Sequence, residues 1–169
     1  MRRPLQGYQA HNKDDVINQV RAIFDTVRSI GVSYVNSTVN FGQIGIGQRV
    51  RLPRTSLQQK AANCIDGAVL FASLFENIGL EPVIVLIPNH AFVGVRLAPG
   101  GKDILFIETT LVGRHPSQSI ITLEHTFDAA VWEGSMKFNM ASRSSQNNPN
   151  VLHIIDIKSA RSAGIYPLL

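Results

Sequence analysis

Apolar residues recur at helical spacing in the first third of the chain. Between residues 14 and 30 they are Val16, Ile17, Val20, Ile23, Phe24, Val27 and Ile30. Steps of three and four place them on one face of a helix. Asp14 and Asp15 suit a helix N-terminus, and Gly31 suits the residue that follows a helix. The pattern predicts an amphipathic helix over 14–30.

A second helical pattern begins after Asn63, with apolar residues at Ala68, Phe71, Leu74, Phe75 and Ile78. Asparagine is a favoured N-cap residue, and Gly79 stands where a helix commonly ends. The pattern therefore predicts a helix from 64 to about 78. Its first turn contains Cys64, the one cysteine of the chain.

Strand-like stretches dominate the rest of the chain. The apolar stretches "EPVIVLIP", "HAFVGVRL", "DILFIETT" and "VLHIIDI" each predict a strand, and "APGGK" is a suitable hairpin turn between the second and third. Before them, residues 32–39 favour β structure, and "RVRLP" is expected to be extended as far as Pro53. A short helix is predicted at 124–132, a polar loop at 143–150 and a short helix in "KSARSAGIYPLL". Helices followed by hairpin-connected strands indicate an α+β fold with an antiparallel sheet.

The composition indicates one folded domain. The chain has 169 residues, 44% hydrophobic and 17% charged, which is enough for a core that we expect to span about 14–135. The net charge is +4, and the basic residues are scattered along the chain. The nearest to a cluster are Arg2, Arg3, Arg49, Arg51 and Arg54. Basic residues are not interleaved with aromatic ones, so we expect no nucleic-acid partner.

The sequence suggests a cytoplasmic protein. One cysteine cannot form an internal disulfide, and no apolar run approaches the roughly 20 residues that cross a bilayer. The first residues carry two arginines without the apolar stretch of a secretory signal. Histidines 11, 115, 125 and 153 show no metal-ligand spacing, so we expect neither a metal nor another cofactor.

The position of Cys64 has two interpretations. A thiol in the first turn of a helix lies beside free backbone N–H groups and the positive end of the helix dipole, which favour a thiolate. Cys64 also continues the apolar stripe of its helix, so it should face the sheet. A buried cysteine is otherwise an ordinary small hydrophobic residue.

His90 and Glu108 change that balance. His90 begins one predicted strand and Glu108 ends the next, so an antiparallel hairpin would make them neighbours. A carboxylate beside an imidazole orients it and stabilises its protonated form. Taken alone, His90 is explained by a hydrogen bond to backbone and Glu108 by a surface position. Together with Cys64 they predict a nucleophile, a base and an orienting acid.

These motifs resemble the transglutaminase-like cysteine fold, which is shared by transglutaminases and bacterial transglutaminase-like peptidases. The resemblance rests on "NCIDGAVLFASLFENIGLEPVIVLIPNHAFVGVRL" followed by "FIETT", and it covers roughly residues 46–112. The resemblance is closer still to bacterial transglutaminase-like domains with a "QRVR-P" segment before "C-I-D" and "HAFVGV", which often belong to larger multidomain proteins. One departure is Glu108 in "ETT", where members of the family commonly have aspartate in a "DPT"-like segment.

The resemblance implies a papain/transglutaminase-like architecture, in which a helix bearing Cys64 packs on an antiparallel sheet bearing His90 and Glu108. It implies a cysteine peptidase or amidase that forms a thioester with a protein or peptide substrate. A glutamine transamidase or deamidase with the same triad, and a non-catalytic binding module that kept the fold, are the alternatives.

Supporting residues are expected around the thiol. The backbone N–H of Cys64 is a candidate oxyanion donor, and the amide of Gln48 is another if it is more than a packing residue. Asn63 is expected to cap the cysteine helix. Asp66 is interpreted as a first-turn capping residue in preference to a catalytic one. Trp132, the one tryptophan, is expected in the core, with a substrate cleft as the alternative.

Overall fold

The computed structural model describes residues 5–9, 12–36, 47–113 and 126–167. The helices are α1 Lys13–Ile30, α2 Pro53–Gln59, α3 Cys64–Asn77, α4 Phe127–Ser145 and α5 Ile157–Ser162. The strands are β1 Ser33–Tyr34, β2 Ala61–Ala62, β3 Pro82–Ile87, β4 His90–Arg96, β5 Ile104–Ile107 and β6 His153–Asp156. Both helical patterns and all four late strands of the sequence are therefore confirmed.

The main sheet has four antiparallel strands in the order β5-β4-β3-β6. The hairpin predicted around "APGGK" joins β4 to β5, with Val93 opposite Ile107 and Arg96 opposite Ile104. This confirms the α+β class. A separate parallel pair, β1 with β2, was not predicted from the sequence.

Local capping explains where the two predicted helices begin and end. The side chain of Asn12 accepts a hydrogen bond from the Asp15 N–H at 2.8 Å, and Gly31 adopts a left-handed conformation with φ 88° after α1. At α3, Asn63 and Asp66 form a reciprocal capping box, in which each side chain accepts from the other residue's backbone N–H. The position of Cys64 in the first turn is fixed by this box.

Alternate residues along the strands enter two hydrophobic clusters. Ile84, Val93 and Ile107 belong to the larger one, which α1 and α3 cover. The smaller one contains Phe92 and Phe106. Helix α4 contributes to both: Phe127 packs against Phe24 with ring centroids 5.7 Å apart, and Phe138 stacks on Phe106 at 3.9 Å. The sheet therefore has helices against both faces.

Two glycines bring α3 and α4 close to the chain that follows β5. A Cβ on Gly134 would lie 2.7 Å from the backbone nitrogen of Ile107 and 3.0 Å from that of Glu108. A Cβ on Gly67 would lie 2.9 Å from Oγ1 of Thr109. The Glu108 N–H also donates to the carbonyl oxygen of Ala130 in α4 at 2.9 Å. The segment 108–109 is thus held between the two helices.

Several predicted elements were wrong in type or length. Pro53 does not end an extended piece; it opens α2, because proline is already suited to the first position of a helix. The helix predicted at 124–132 begins at Phe127 and continues to Ser145, so the first residues of the expected loop 143–150 are helical. The rest of that loop contains a 3₁₀ turn at Pro149–Val151. Of the β-prone residues 32–39, only Ser33–Tyr34 form a strand, and 37–39 lie outside the described residues.

Within these described ranges, no helix combines the length and the apolar composition needed to span a membrane. Even α4, with 19 residues, has a mixed sequence that includes Glu133, Lys137 and Arg143.

Candidate functional site

Cys64 lies buried at the start of α3. Only 1% of its surface is exposed, and it belongs to the larger hydrophobic cluster, as its place on the apolar stripe predicted. Its thiol lies near enough to the imidazole of His90 to contribute to the raised pKa of that ring. The structure therefore brings together the nucleophile and the base that were predicted from distant parts of the sequence.

His90 and Glu108 form a short ion pair. Nε2 of His90 lies 2.6 Å from Oε2 of Glu108. The register of β4 with β5, extended by one residue, sets Glu108 opposite Phe92 and leaves His90 two residues away on the same face. Since Glu108 occupies Nε2, the ring nitrogen left for Cys64 is Nδ1. The predicted proximity of His90 and Glu108 is confirmed.

The Glu108 carboxylate is fully buried and has partners on both oxygens. Oε1 accepts from the backbone N–H of Thr110 at 3.1 Å and from its hydroxyl at 2.8 Å. Oε2 accepts from His90 and, also at 2.6 Å, from Nζ of Lys137 in α4. Four donors converge on one carboxylate, which fixes its orientation and keeps it ionised.

The charges of this group reinforce each other. Burial lowers the pKa of His90, but its hydrogen bonds with Cys64 and Glu108 and the charge of Glu108 prevail and raise it from 6.5 to about 9. Burial raises the pKa of Glu108, yet the hydrogen bond and charge of His90, together with the ammonium of Lys137, lower it from 4.5 to about 2. At neutral pH the structure therefore holds an imidazolium beside a carboxylate.

This pairing predicts a pH-dependent contribution to stability. The lowered pKa of Glu108 stabilises the fold above pH 4.5, and that contribution is lost as the pH falls toward 2. The raised pKa of His90 stabilises the fold below pH 6.5, and that contribution is lost as the pH rises through about 9. The free energy of unfolding, measured by urea titration, should favour wild type over Glu108→Gln most strongly between pH 4.5 and 6.5.

A matched control separates this effect from the loss of any carboxylate. Glu76 forms a half-buried pair with Arg161 at 2.7 Å, and an arginine does not titrate near pH 9. The stability advantage of wild type over Glu76→Gln should therefore stay constant between pH 6.5 and 9. An advantage of wild type over Glu108→Gln that stays constant across that range would contradict the pairing.

Asn63 and Asp66 support the start of α3. Asp66 accepts from the Asn63 N–H at 3.2 Å and also binds Arg51, at 2.7 Å through the backbone N–H and at 2.9 Å through the guanidinium. The capping role predicted for both residues is confirmed. The second role of Asp66, to fasten the preceding segment beside Cys64, was not foreseen.

Gln48 lies in the segment that Asp66 fastens. Its Nε2 donates to the carbonyl oxygen of Arg49 at 2.8 Å, a bond to its own neighbour that uses one amide hydrogen. This bond is local, and the part of Gln48 as an oxyanion donor stays a prediction.

Three residues near the site were missed. Lys137 pairs with Glu108 across 29 positions of sequence, and the helix that bears it had been predicted to end at 132. Thr110 had a local signal, because "ETT" after a strand permits a turn in which a carboxylate binds the N–H two residues on. Tyr34 is 41% exposed, and partial burial together with its electrostatic interactions with Cys64 and Glu108 raises its pKa.

Trp132 contradicts its predicted place in the core. It is 65% exposed on α4, where Met136 and Met140 continue an exposed stripe at intervals of four. The side of α4 that packs on the sheet is occupied instead by Ala130, Gly134 and Phe138. Lys137 follows Met136 on α4, so it lies beside this exposed apolar stripe. The helix that carries the stripe is therefore the one that brings Lys137 to Glu108.

Other candidate features lie apart from the triad. A groove of about 870 Å³ is lined by α1, α2 and α3 residues such as Ile23, Leu57 and Leu74, and contains none of the triad residues. His153 is exposed on β6, whereas histidines 11, 115 and 125 lie outside the described residues. In the part of the chain that is described, no three His, Cys, Asp or Glu residues are grouped to hold a metal ion.

Comparison with protein-family models, with curated proteins and with solved structures found no match to this chain.

Proposed function

We propose that this protein is a thiol-dependent acyl-transfer enzyme of the transglutaminase-like class, acting on amide bonds of a protein or peptide. The observation that supports this most is the arrangement of three buried or half-buried side chains: His90 lies 2.6 Å from Glu108, and the thiol of Cys64 acts on the same imidazole. This is the sequence of nucleophile, base and orienting acid that covalent catalysis requires.

The proposed reaction has two steps. The sulfur of Cys64 attacks the amide carbonyl carbon and forms a C–S bond, the C–N bond breaks, and His90 gives its proton to the departing amine. Water then attacks the thioester, passes a proton back to His90 and releases the acid and the thiolate. We assign the stabilisation of the oxyanion in both steps to the Cys64 N–H, which belongs to the first turn of α3.

Water is the acceptor in the function we favour, that of a cysteine peptidase or amidase. An amine acceptor would make the same triad a glutamine transamidase, and water acting on a glutamine side chain would make it a deamidase. The three outcomes share every residue of the mechanism, so the product must distinguish them.

The first experiment measures the rate of Cys64 alkylation by iodoacetamide against pH, in wild type and in His90→Ala. Because the chain has one cysteine, the intact mass reports this thiol alone. We expect wild type to react well below the pKa of about 8.5 of a free thiol, and His90→Ala to lose that advantage. Equal profiles in the two proteins would contradict the thiolate–imidazolium pair.

The second experiment identifies the acceptor. Dimethylated casein is incubated with the protein, with and without a fluorescent primary amine, and analysed by mass spectrometry. We expect cleaved chains as the main product. Incorporated amine or glutamate in place of glutamine would assign the transamidase or deamidase instead. A reactive Cys64 with no product of any kind would favour a binding module that kept the fold.

A further inference from the structure

A lysine shares the oxygen of Glu108 that binds the imidazole. Nζ of Lys137 and Nε2 of His90 each lie 2.6 Å from the same Oε2. Lys137 is held there by Glu133, one turn earlier on α4, at 2.8 Å. Without Lys137, the buried carboxylate would still accept from His90 at Oε2 and from the N–H and hydroxyl of Thr110 at Oε1.

We propose that Lys137 is a positioning residue that acts through Glu108: its ammonium draws part of the charge of Oε2 away from His90, so that His90 releases its proton more readily to the departing amine. This inference rests on the proposed acyl-transfer function. With Lys137, the site includes α4 as well as α3 and the sheet. Helices α3 and α4 lie on opposite sides of segment 108–109.

The charges on Glu108, His90 and Lys137 together decide how firmly the imidazole holds its proton. A carboxylate paired only with imidazolium holds the proton firmly, and a strongly held proton makes a poor general acid near neutral pH. A second cation within a few ångströms of the pair weakens that hold, and the charge of Lys137 accordingly lowers the pKa of His90. The titratable groups that act on His90 are Cys64 on α3, Glu108 after β5 and Lys137 on α4. Tyr34 and Glu133 act in turn on members of this group, Tyr34 through its charge interactions with Cys64, Glu108 and Lys137, and Glu133 through Lys137.

The test follows the His90 ring by NMR titration in the Cys64→Ala background, which removes coupling to the thiol. Lys137→Met keeps the length and apolar stem of the side chain but not its charge, and Lys137→Arg keeps the charge. We expect the His90 midpoint to rise by about one pH unit in Lys137→Met and to stay near that of the parent in Lys137→Arg. Lys158→Met, which removes an exposed cation paired with Glu81, controls for net charge.

The matching kinetic test uses the same substitutions with Cys64 intact. In Lys137→Met, the pKa that limits turnover at high pH should rise by the same interval of about one pH unit. Turnover at neutral pH should fall about tenfold. Lys137→Gln provides a second neutral variant if the methionine protein does not fold. An unchanged or lowered His90 midpoint in a folded neutral variant, or the same rise in Lys137→Arg, would overturn the inference.

Failure of the inference is distinguishable from failure of the proposed function. If His90→Ala abolishes the alkylation advantage of Cys64 but Lys137→Met leaves the His90 midpoint unchanged, the role of Lys137 alone is wrong. If His90→Ala leaves alkylation unchanged, the acyl-transfer proposal itself is wrong.

Discussion

Replacing Cys64 with alanine should reduce turnover of an amide substrate by on the order of 10⁴-fold or more, because no other group in the site can form the thioester. The fold should survive. The substitution removes one sulfur from a buried position, and we expect the free energy of unfolding to change by no more than about 1–2 kcal/mol. Product formation from dimethylated casein and urea unfolding measure the two effects separately.

Ser73→Ala is the matched control for this variant. Ser73 lies on the same helix as Cys64, is half-buried, and donates its hydroxyl to the carbonyl oxygen of Val69 at 2.8 Å. Its loss changes helix α3 by a similar volume without touching the triad, so turnover should remain. If Cys64→Ala kept turnover within about tenfold of wild type, the thiol would not be the nucleophile.

Gly134→Ala should lower both stability and activity. In a helix interior this substitution ordinarily stabilises by up to about 1 kcal/mol. Here the added Cβ would lie 2.7 Å from the nitrogen of Ile107 and 2.8 Å from the carbonyl carbon of Phe106, and backbone atoms cannot swing aside. We therefore expect a loss of about 1–3 kcal/mol in the free energy of unfolding.

The activity should fall because the helix cannot separate from the strand without moving the acid. A shift of Glu108 relative to His90 loosens the orientation of the imidazole, and a misplacement of this kind costs about 10- to 100-fold in turnover. The measurement is the turnover of the folded variant, at a temperature below its unfolding transition.

Two further variants test whether the effect is specific to Gly134. Asn139→Ala changes an exposed position of the same helix and should be neutral or slightly stabilising. Gly67→Ala on α3 meets side-chain atoms of Thr109, at 2.9 and 3.3 Å, where Gly134→Ala meets backbone atoms, so its effect should be smaller than that of Gly134→Ala. A Gly134→Ala protein as stable and as active as wild type would show that the close approach of α4 does not position the acid.

The sequence predicted well those features that depend on neighbouring residues. Helix α3 was recognisable because its cap, its apolar stripe and its terminal glycine are all local, and this fixed Cys64 in the first turn. The contact of His90 with Glu108 followed from one hairpin, which needs only two adjacent strands and the turn between them.

What the sequence did not reveal depends on contacts between distant segments. Helix α4 has few buried apolar residues and a glycine in its middle, so its periodicity fades after Trp132 although packing on β5 extends it to Ser145. Lys137 was missed for that reason. Trp132 was misplaced because large aromatic side chains are usually buried, whereas small residues at Ala130 and Gly134 make the contact with the sheet. Pro53 was misread because proline ends some elements and begins others.

The location of segment 108–109 between α3 and α4 has a consequence for how the protein is made. The ribosome completes Cys64, His90 and Glu108 before it reaches α4, so the growing chain carries a thiol and an imidazole while the bracing helix is still absent. Glu108 gains the carbonyl of Ala130 and the ammonium of Lys137 only when that helix docks. If the proposed function is correct, order of synthesis delays activity: a nascent chain that stops short of α4 has the reactive residues but lacks the brace that aligns them.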